Sequence, residues 1–269
     1  MSPDGQSDRR TLAQERVDRP LAAFARDYAD GEDTGWHSHA RAQLLYATRG
    51  VMRVETSAAR YTVPPGRALW VPVGMAHAVR AEGALAMRAL FFRADAAVLG
   101  EGEAQVLAVP PLLRELILAA CVEPLEWDER GRGGHLAALI AEEVARAPRL
   151  GFAVPAPRDA RLKRLADALQ ADPAADLTLE EWAPRCGASA RTLARLFRAE
   201  TGMGFARWRQ MLRLTEGAAR LARGTMPAAA AAAVGYASAP AFGAAFRAAF
   251  GVTPGEARSL ISAAADFDS

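Results

Sequence analysis

Between residues 20 and 95 the apolar positions come in short runs broken by Gly and Pro. Gln43-Leu-Leu-Tyr-Ala-Thr-Arg-Gly50 and Val51-Met-Arg-Val-Glu55 predict two strands meeting at a glycine. Tyr61-Thr-Val-Pro-Pro-Gly66 predicts a strand running into a Pro-Gly turn, and Ala68–Val71 and Ala84–Phe92 add further strands. Short strands punctuated in this way predict an all-β barrel or sandwich. The period then lengthens. Pro111 to Val122 carries Leu112, Leu116 and Ala119 at helical spacing, and His135 to Ala147 carries Leu136, Leu139, Ile140 and Val144, which predicts a pair of helices. Three prolines and a glycine between Pro148 and Pro157 predict a linker, and from Arg158 onward the pattern is helical. The fold class is therefore a multidomain β + α chain. Its expected parts are a disordered tail (1–19), a β-domain (20–100), a helical connector and candidate dimerisation element (101–150), a linker (151–160), a helical domain (161–258) and a tail (259–269).

One pattern occurs twice in the helical domain. Gly187 is followed by Ser189, Leu193, Phe197-Arg198 and Gly202; Gly235 is followed by Ser238, Phe242, Phe246-Arg247 and Gly251. In both copies Ser, the large apolar residue and Phe-Arg fall at i, i+4, i+8 and i+9. A glycine turn, a Ser cap and a short helix with a buried stripe describe the second half of a helix-turn-helix. Between the copies, Gly204 to Arg223 predicts one helix of about 20 residues, hence about 30 Å. Successive major-groove faces lie about 34 Å apart, so such a helix can hold two reading heads on one side of a duplex.

Charge sharpens this reading. The net charge is +2, but Arg158 to Arg258 holds 15 Lys+Arg against 9 Asp+Glu, leaving the remainder of the chain mildly acidic. A basic helical domain suits an anionic partner. No apolar stretch approaches the roughly 20 residues of a membrane span. The N-terminus lacks the apolar core of a signal peptide, and Cys121 and Cys186 lie far apart without metal spacing, so a reduced cytoplasm is expected.

The β-domain carries three of the four histidines in one arrangement. Gly31, His37-x-His39, Gln43 and Gly50 at their observed spacing, then Gly66, Pro72-x-Gly74 and His77, resemble the two motifs of the cupin family. That resemblance covers roughly residues 20–95 and implies a double-stranded β-helix barrel in which His37, His39, Gln43 and His77 converge. Three imidazoles and an amide oxygen can hold a divalent Zn, Ni, Fe or Mn ion. A polar interior that binds an organic effector without metal is the alternative. Gln43 stands where the family has an acidic ligand, and glutamine cannot act as a general base. Trp36, Tyr46, Trp70 and Met75 lie near these motifs as candidate pocket residues, and His135 reads as structural or surface.

In the first repeat, Arg191 and Arg195 share one helix face and suit bidentate contacts to guanine; Arg198 suits a phosphate. Ser189 and Thr192 open that helix, and Ser238 and Arg247 are the counterparts of Ser189 and Arg198 in the second repeat. All seven are candidate DNA contacts. The second recognition helix, Ala239-Pro-Ala-Phe-Gly-Ala-Ala-Phe-Arg247, has no polar side chain where the first has its two arginines. From about Arg161 to Arg258 the chain resembles the AraC/XylS family of transcription regulators, through Ser189-x-Arg-Thr-Leu-x-Arg-Leu-Phe-Arg-x-Glu-Thr-Gly202, Trp208-Arg-x-x-x-Arg213-Leu and Gly235-Tyr-x-Ser238 with its following Phe-Arg and Thr253-Pro254. The resemblance implies a ligand- or metal-responsive regulator, not an enzyme, that binds double-stranded DNA as a homodimer. The competing reading is a cupin metalloenzyme, an oxygenase or isomerase, with an appended DNA-binding domain.

Overall fold

A computed structural model describes residues 13–150 and 153–263. The expected tail residues 1–12 and 264–269, and linker residues 151 and 152, lie outside the described residues. The first elements are α1 (Ala13–Arg16), β1 (Leu21–Tyr28), β2 (Ala42–Thr56), β3 (Ala59–Val63), β4 (Arg67–Val71), β5 (His77–Phe92) and β6 (Gln105–Ala108). Then come α2 (Pro111–Cys121), α3 (Arg132–Arg146), β7 (Arg149–Leu150), β8 (Ala153–Pro155) and α4 (Ala160–Ala171). The chain continues as α5 (Leu179–Cys186), α6 (Ala190–Thr201), α7 (Phe205–Ala222), α8 (Pro227–Ala233), α9 (Ala239–Phe250) and α10 (Pro254–Ala263). Among the described residues, one compact unit holds 13 to Ser57, Val63 to 150 and Leu260 to 263, and a second holds Ala58–Thr62 and 153 to Ser259. No helix among the described residues is long and apolar enough to cross a membrane.

The first unit is an antiparallel sheet in the order β1-β5-β2-β4-β6-β7. β5 pairs with β1 from Leu21↔Phe92 to Tyr28↔Leu85, and with β2 from Ala42↔Phe92 to Thr56↔His77. Isolated bridges join Asp33 to Arg80 and His37 to His77, so the loop after β1 runs back along the first half of β5 and curls the sheet over. Residues 43–55, expected as two strands meeting at Gly50, form one strand. The register slips on either side of Arg49, a bulge that bends the strand without ending it. Gly50 is required there: its φ is +77°, and a Cβ would lie 2.7 Å from the Ala84 carbonyl oxygen and 2.8 Å from Leu85 Cα.

Both faces of the sheet are covered, and strand parity sorts the residues between them. Leu44, Tyr46, Trp70, Leu90, Phe92 and Leu107 pack against Leu113, Leu116, Ile117, Ile140 and Val144 of α2 and α3. Gln43, Leu45, Met87 and Phe91 take the opposite face and line the interior of the curl. The buried stripe of α2 is Leu113, Leu116, Ile117 and Ala120, one position on from the expected Leu112 and Ala119; Leu112 is exposed. On α3, Leu139 likewise turns outward while Ala137, Ile140 and Val144 are buried. Residues 13–19, assigned to a disordered tail in sequence, begin instead with the helical turn α1.

In the second unit the expected linker has structure of its own. β8 pairs with β3 at Ala59↔Pro155 and Arg60↔Val154, Val154 is buried, and the Trp208 indole N–H donates to the Pro155 carbonyl at 2.9 Å. The helices enclose two cores. One gathers Leu162, Leu165, Leu169, Trp182, Leu193, Phe197 and Trp208; the other gathers Leu214, Leu221, Val234, Phe242, Phe246 and Phe250. α7 serves both, with Phe205 to Leu212 in the first and Leu214 to Leu221 in the second. Gly217 lets α9 come close: a Cβ there would lie 2.7 Å from the Phe242 ring. Arg213 fixes the loop before α5 by donating to the carbonyls of Pro173, Ala174 and Ala175.

Candidate functional site

His37 and His39 stand in the loop between β1 and β2, Gln43 near the start of β2, and His77 at the first position of β5. Backbone pairing brings the two histidine segments together. His37 N–H donates to the His77 carbonyl at 2.9 Å, His77 N–H returns the bond at 2.8 Å, and Gly74 N–H donates to the His39 carbonyl at 2.9 Å. The ring centroids then lie 4.4 Å (His37–His77), 4.9 Å (His37–His39) and 5.5 Å (His39–His77) apart. All three rings and Gln43 are buried, and one nitrogen from each ring lies within 4.8 Å of the others. His37, His39 and Gln43 face a cavity of about 50 Å³ walled by Phe24, Leu45, Val79 and Phe91. That space suits an ion with a water or two rather than a drug-sized molecule.

Hydrogen bonds fix the ring orientations. Nδ1 of His37 lies 2.9 Å from the Gly35 carbonyl oxygen, Nδ1 of His77 lies 3.0 Å from the Met75 carbonyl oxygen, and Nδ1 of His39 lies 2.8 Å from Glu15 Oε1. Acceptors at all three Nδ1 atoms place the proton there and leave Nε2 as the lone-pair atom. His77 Nε2 and Gln43 Oε1 lie 3.1 Å apart. Two acceptors face each other at that distance unless the amide turns its NH2 to the ring or a cation sits with them. Three imidazole nitrogens within 4.8 Å of one another, beside an amide, form a donor set that fits a divalent ion.

Burial, and then the neighbouring His37 ring, push His77 down to about 3. Unfolded, His77 takes up a proton near pH 6.5; folded, only near 3. The unfolded state binds the extra proton, so this contribution is present above pH 6.5 and is lost as pH falls from there towards 3. Chelator-treated protein should lose about 2 kcal/mol of unfolding free energy between pH 7.5 and 5 from this residue. Denaturant titrations at the two pH values measure it; an equal loss in His77→Asn would show that the ring is not responsible.

The four expected pocket residues do not line this cavity. Tyr46 lies an odd number of positions from Gln43, and Trp70 pairs across from Leu44, so both face the packed helices. Trp36 is 45% exposed, and Met75 is half-buried and meets His77 through its carbonyl oxygen. The sequence reading also missed Phe91 and Glu15. Phe91 was findable, because it pairs directly across from Gln43. Glu15, 24 residues before its partner and in a polar stretch, gave no local signal.

The second unit carries a separate candidate surface. The Thr178–Glu181 capping box starts α5, and Gly187 ends it in the left-handed region at φ 66°. Ser189 then caps α6, accepting from Thr192 N–H at 3.2 Å, and its hydroxyl also meets the Thr192 hydroxyl at 2.9 Å. Arg191, Arg195 and Arg198 are exposed at i, i+4 and i+7, opposite buried Leu193 and Phe197. In the second copy Ser238 caps α9 through Ala241 N–H, and Phe242, Phe246 and Phe250 are buried. The exposed side of α9 carries Ala239, Pro240, Ala241, Ala244 and Ala248, with Arg247 as its cation.

Comparison with known proteins bears on both units. Residues 21–181 match the model of the AraC-like ligand binding domain, and residues 182–259 match a helix-turn-helix domain. The HTH-type transcriptional regulator NimR of Escherichia coli is 28% identical over 219 residues, which is 81% of this chain and 80% of that protein. The HTH-type transcriptional regulator RipA of Corynebacterium glutamicum is 38% identical over 119 residues, 44% of this chain and 34% of that protein. Among solved structures, apo ToxT from Vibrio cholerae aligns over 90% of this chain and 98% of its own, at 10% identity and a TM-score of 0.39.

Proposed function

The chain belongs to the AraC family of helix-turn-helix transcription regulators with an AraC-like ligand binding domain, a non-enzymatic family, and on that premise we propose that it is a metal-responsive regulator that reads a specific DNA sequence. The observation that carries the metal half is the buried cluster of His37, His39 and His77, of which His37 and His39 line, with Gln43, a cavity of about 50 Å³. A Zn, Ni, Fe or Mn ion held by these four side chains would join the loop after β1 to β2 and β5. The regulator family disposes of the metalloenzyme alternative, and the neutral Gln43 agrees with that.

Sequence reading is assigned to α6. Arg191 and Arg195 reach base edges and Arg198 a phosphate, while Ser189 and Thr192 order the first turn. α9 acts as a clamp: Ser238 caps it, Arg247 reaches a phosphate, and its methyl-lined face offers no hydrogen-bond readout. Exposed Leu112, Val122 and Leu139 on and beside α2 and α3 support assembly as a homodimer.

An organic effector is the second reading, and one feature favours it. A cleft of about 230 Å³ runs between β1, β5 and α3, walled by Leu21, Phe92, Trp127 and Ala137. Fluorescence anisotropy on an operator selected from random DNA separates the two. With the metal signal, operator affinity changes at least tenfold between chelated and Zn-loaded protein, and His77→Ala removes the difference. Equal affinity in both states, in wild type, would overturn the metal reading and turn attention to the cleft.

A further inference from the structure

The ligand set described above has no charge. Three neutral imidazoles and an amide around a divalent ion would leave two positive charges in a largely apolar interior, which is costly without a compensating anion. The structure supplies one from outside the sheet. Glu15 projects from α1, its side chain 8% exposed, with Oε1 2.8 Å from His39 Nδ1. Its second oxygen accepts from Ala40 N–H at 2.8 Å, so both carboxylate oxygens are held at the backbone and ring of the His39 segment. Arg41, itself buried, secures the same stretch by donating to the carbonyls of Val17 and Arg19.

We propose that Glu15 is the charge-compensating, positioning carboxylate of the metal centre, and that it ties occupancy of that centre to docking of residues 13–19. The inference rests on the metal reading of the histidine cluster. A carboxylate accepting from the Nδ1 proton of a metal-bound histidine fixes the ring and raises the donor strength of Nε2. Here it also supplies the negative charge that Gln43 withholds. Because Glu15 sits on the chain segment that crosses the His39 loop, the coupling runs both ways: the ion favours the docked segment, and the docked segment favours the ion.

The test uses the full chain, with Zn affinity read by competition against a chromophoric chelator and the ligand set read from the absorption spectrum of the Co-loaded protein. Glu15→Ala should weaken Zn binding about 10–100-fold. Glu15→Gln, which keeps an acceptor but not the charge, should fall between it and wild type. The Co spectrum should be unchanged in both, since Glu15 touches the ring and not the ion, and should be lost in His39→Ala. Zn should also slow proteolysis within residues 13–19 of wild type but not of Glu15→Ala. Wild-type affinity in Glu15→Ala, with His39→Ala still deficient, would overturn this inference and leave the metal centre standing. An altered Co spectrum in Glu15→Ala would overturn it by making Glu15 a direct ligand. Wild type that takes up no Zn would overturn both.

Discussion

Gly50→Ala should destabilise the first unit by about 2–5 kcal/mol. Two independent terms add. A left-handed backbone costs a non-glycine residue about 1–2 kcal/mol, and Gly50 has φ +77°. Forcing a methyl into packed space costs a further 1–3 kcal/mol or so, and here the methyl would meet the Ala84 carbonyl and Leu85 Cα, which are backbone atoms of the paired strand and cannot rotate aside. Gly35→Ala is the matched control: its φ is +69°, but nothing lies within 4 Å of the added carbon, so it should show the first term alone. Urea titrations of the two variants measure the difference. Equal midpoints would mean that the bulge relaxes and that close approach plays no part.

Arg191→Ala and Arg195→Ala should each cost about 1–3 kcal/mol of operator binding, roughly 5- to 150-fold, and should relax base preference at the positions they face. Both side chains are exposed on α6, one turn apart, and no other cation except Arg198 shares their face. Arg247→Ala supplies the contrast. If Arg247 holds a phosphate, its loss lowers affinity for operator and scrambled DNA alike and reduces the salt slope by about one. Titrations on both DNAs at two salt concentrations separate these behaviours. Equal losses on operator and scrambled DNA for Arg191→Ala would make it a phosphate contact and move sequence reading elsewhere.

The helical half was the more legible in sequence. Helix starts and stops are written in local chemistry: Ser189 and Ser238 cap α6 and α9, and Gly187, Gly202 and Gly251 close their helices in the left-handed region. Convergence of the histidines is implied by the resemblance to the cupin motifs, and His37 and His39 take part in it from the loop after β1. What failed was the assignment of faces. A glycine at a bulge and a glycine at a turn look alike without the partner strand, so the sequence predicts two strands where β2 is one. Tyr46 and Trp70 sit close in sequence to the histidines and on the other side of the sheet, and strict alternation from Gln43 would have excluded Tyr46. α2 is apolar on so many positions that its stripe slipped by one residue. Glu15 was beyond reach, because its role depends on a fold-back that no local pattern announces.

α7 carries a mechanical consequence. Leu212 lies in one core and Leu214 in the next, so the boundary between the two falls inside a single helix, with no loop to absorb strain. A chain cut between them would strip each fragment of half its packing, so neither repeat is a separable module. Force applied at α9 reaches α6 through eighteen residues of continuous hydrogen-bonded backbone, about 27 Å of it. The separation of α6 and α9 is therefore set like the span of a fixed caliper, and with both helices on DNA as proposed, an operator whose contact points are moved by even one base pair should be gripped at one point or the other, not at both.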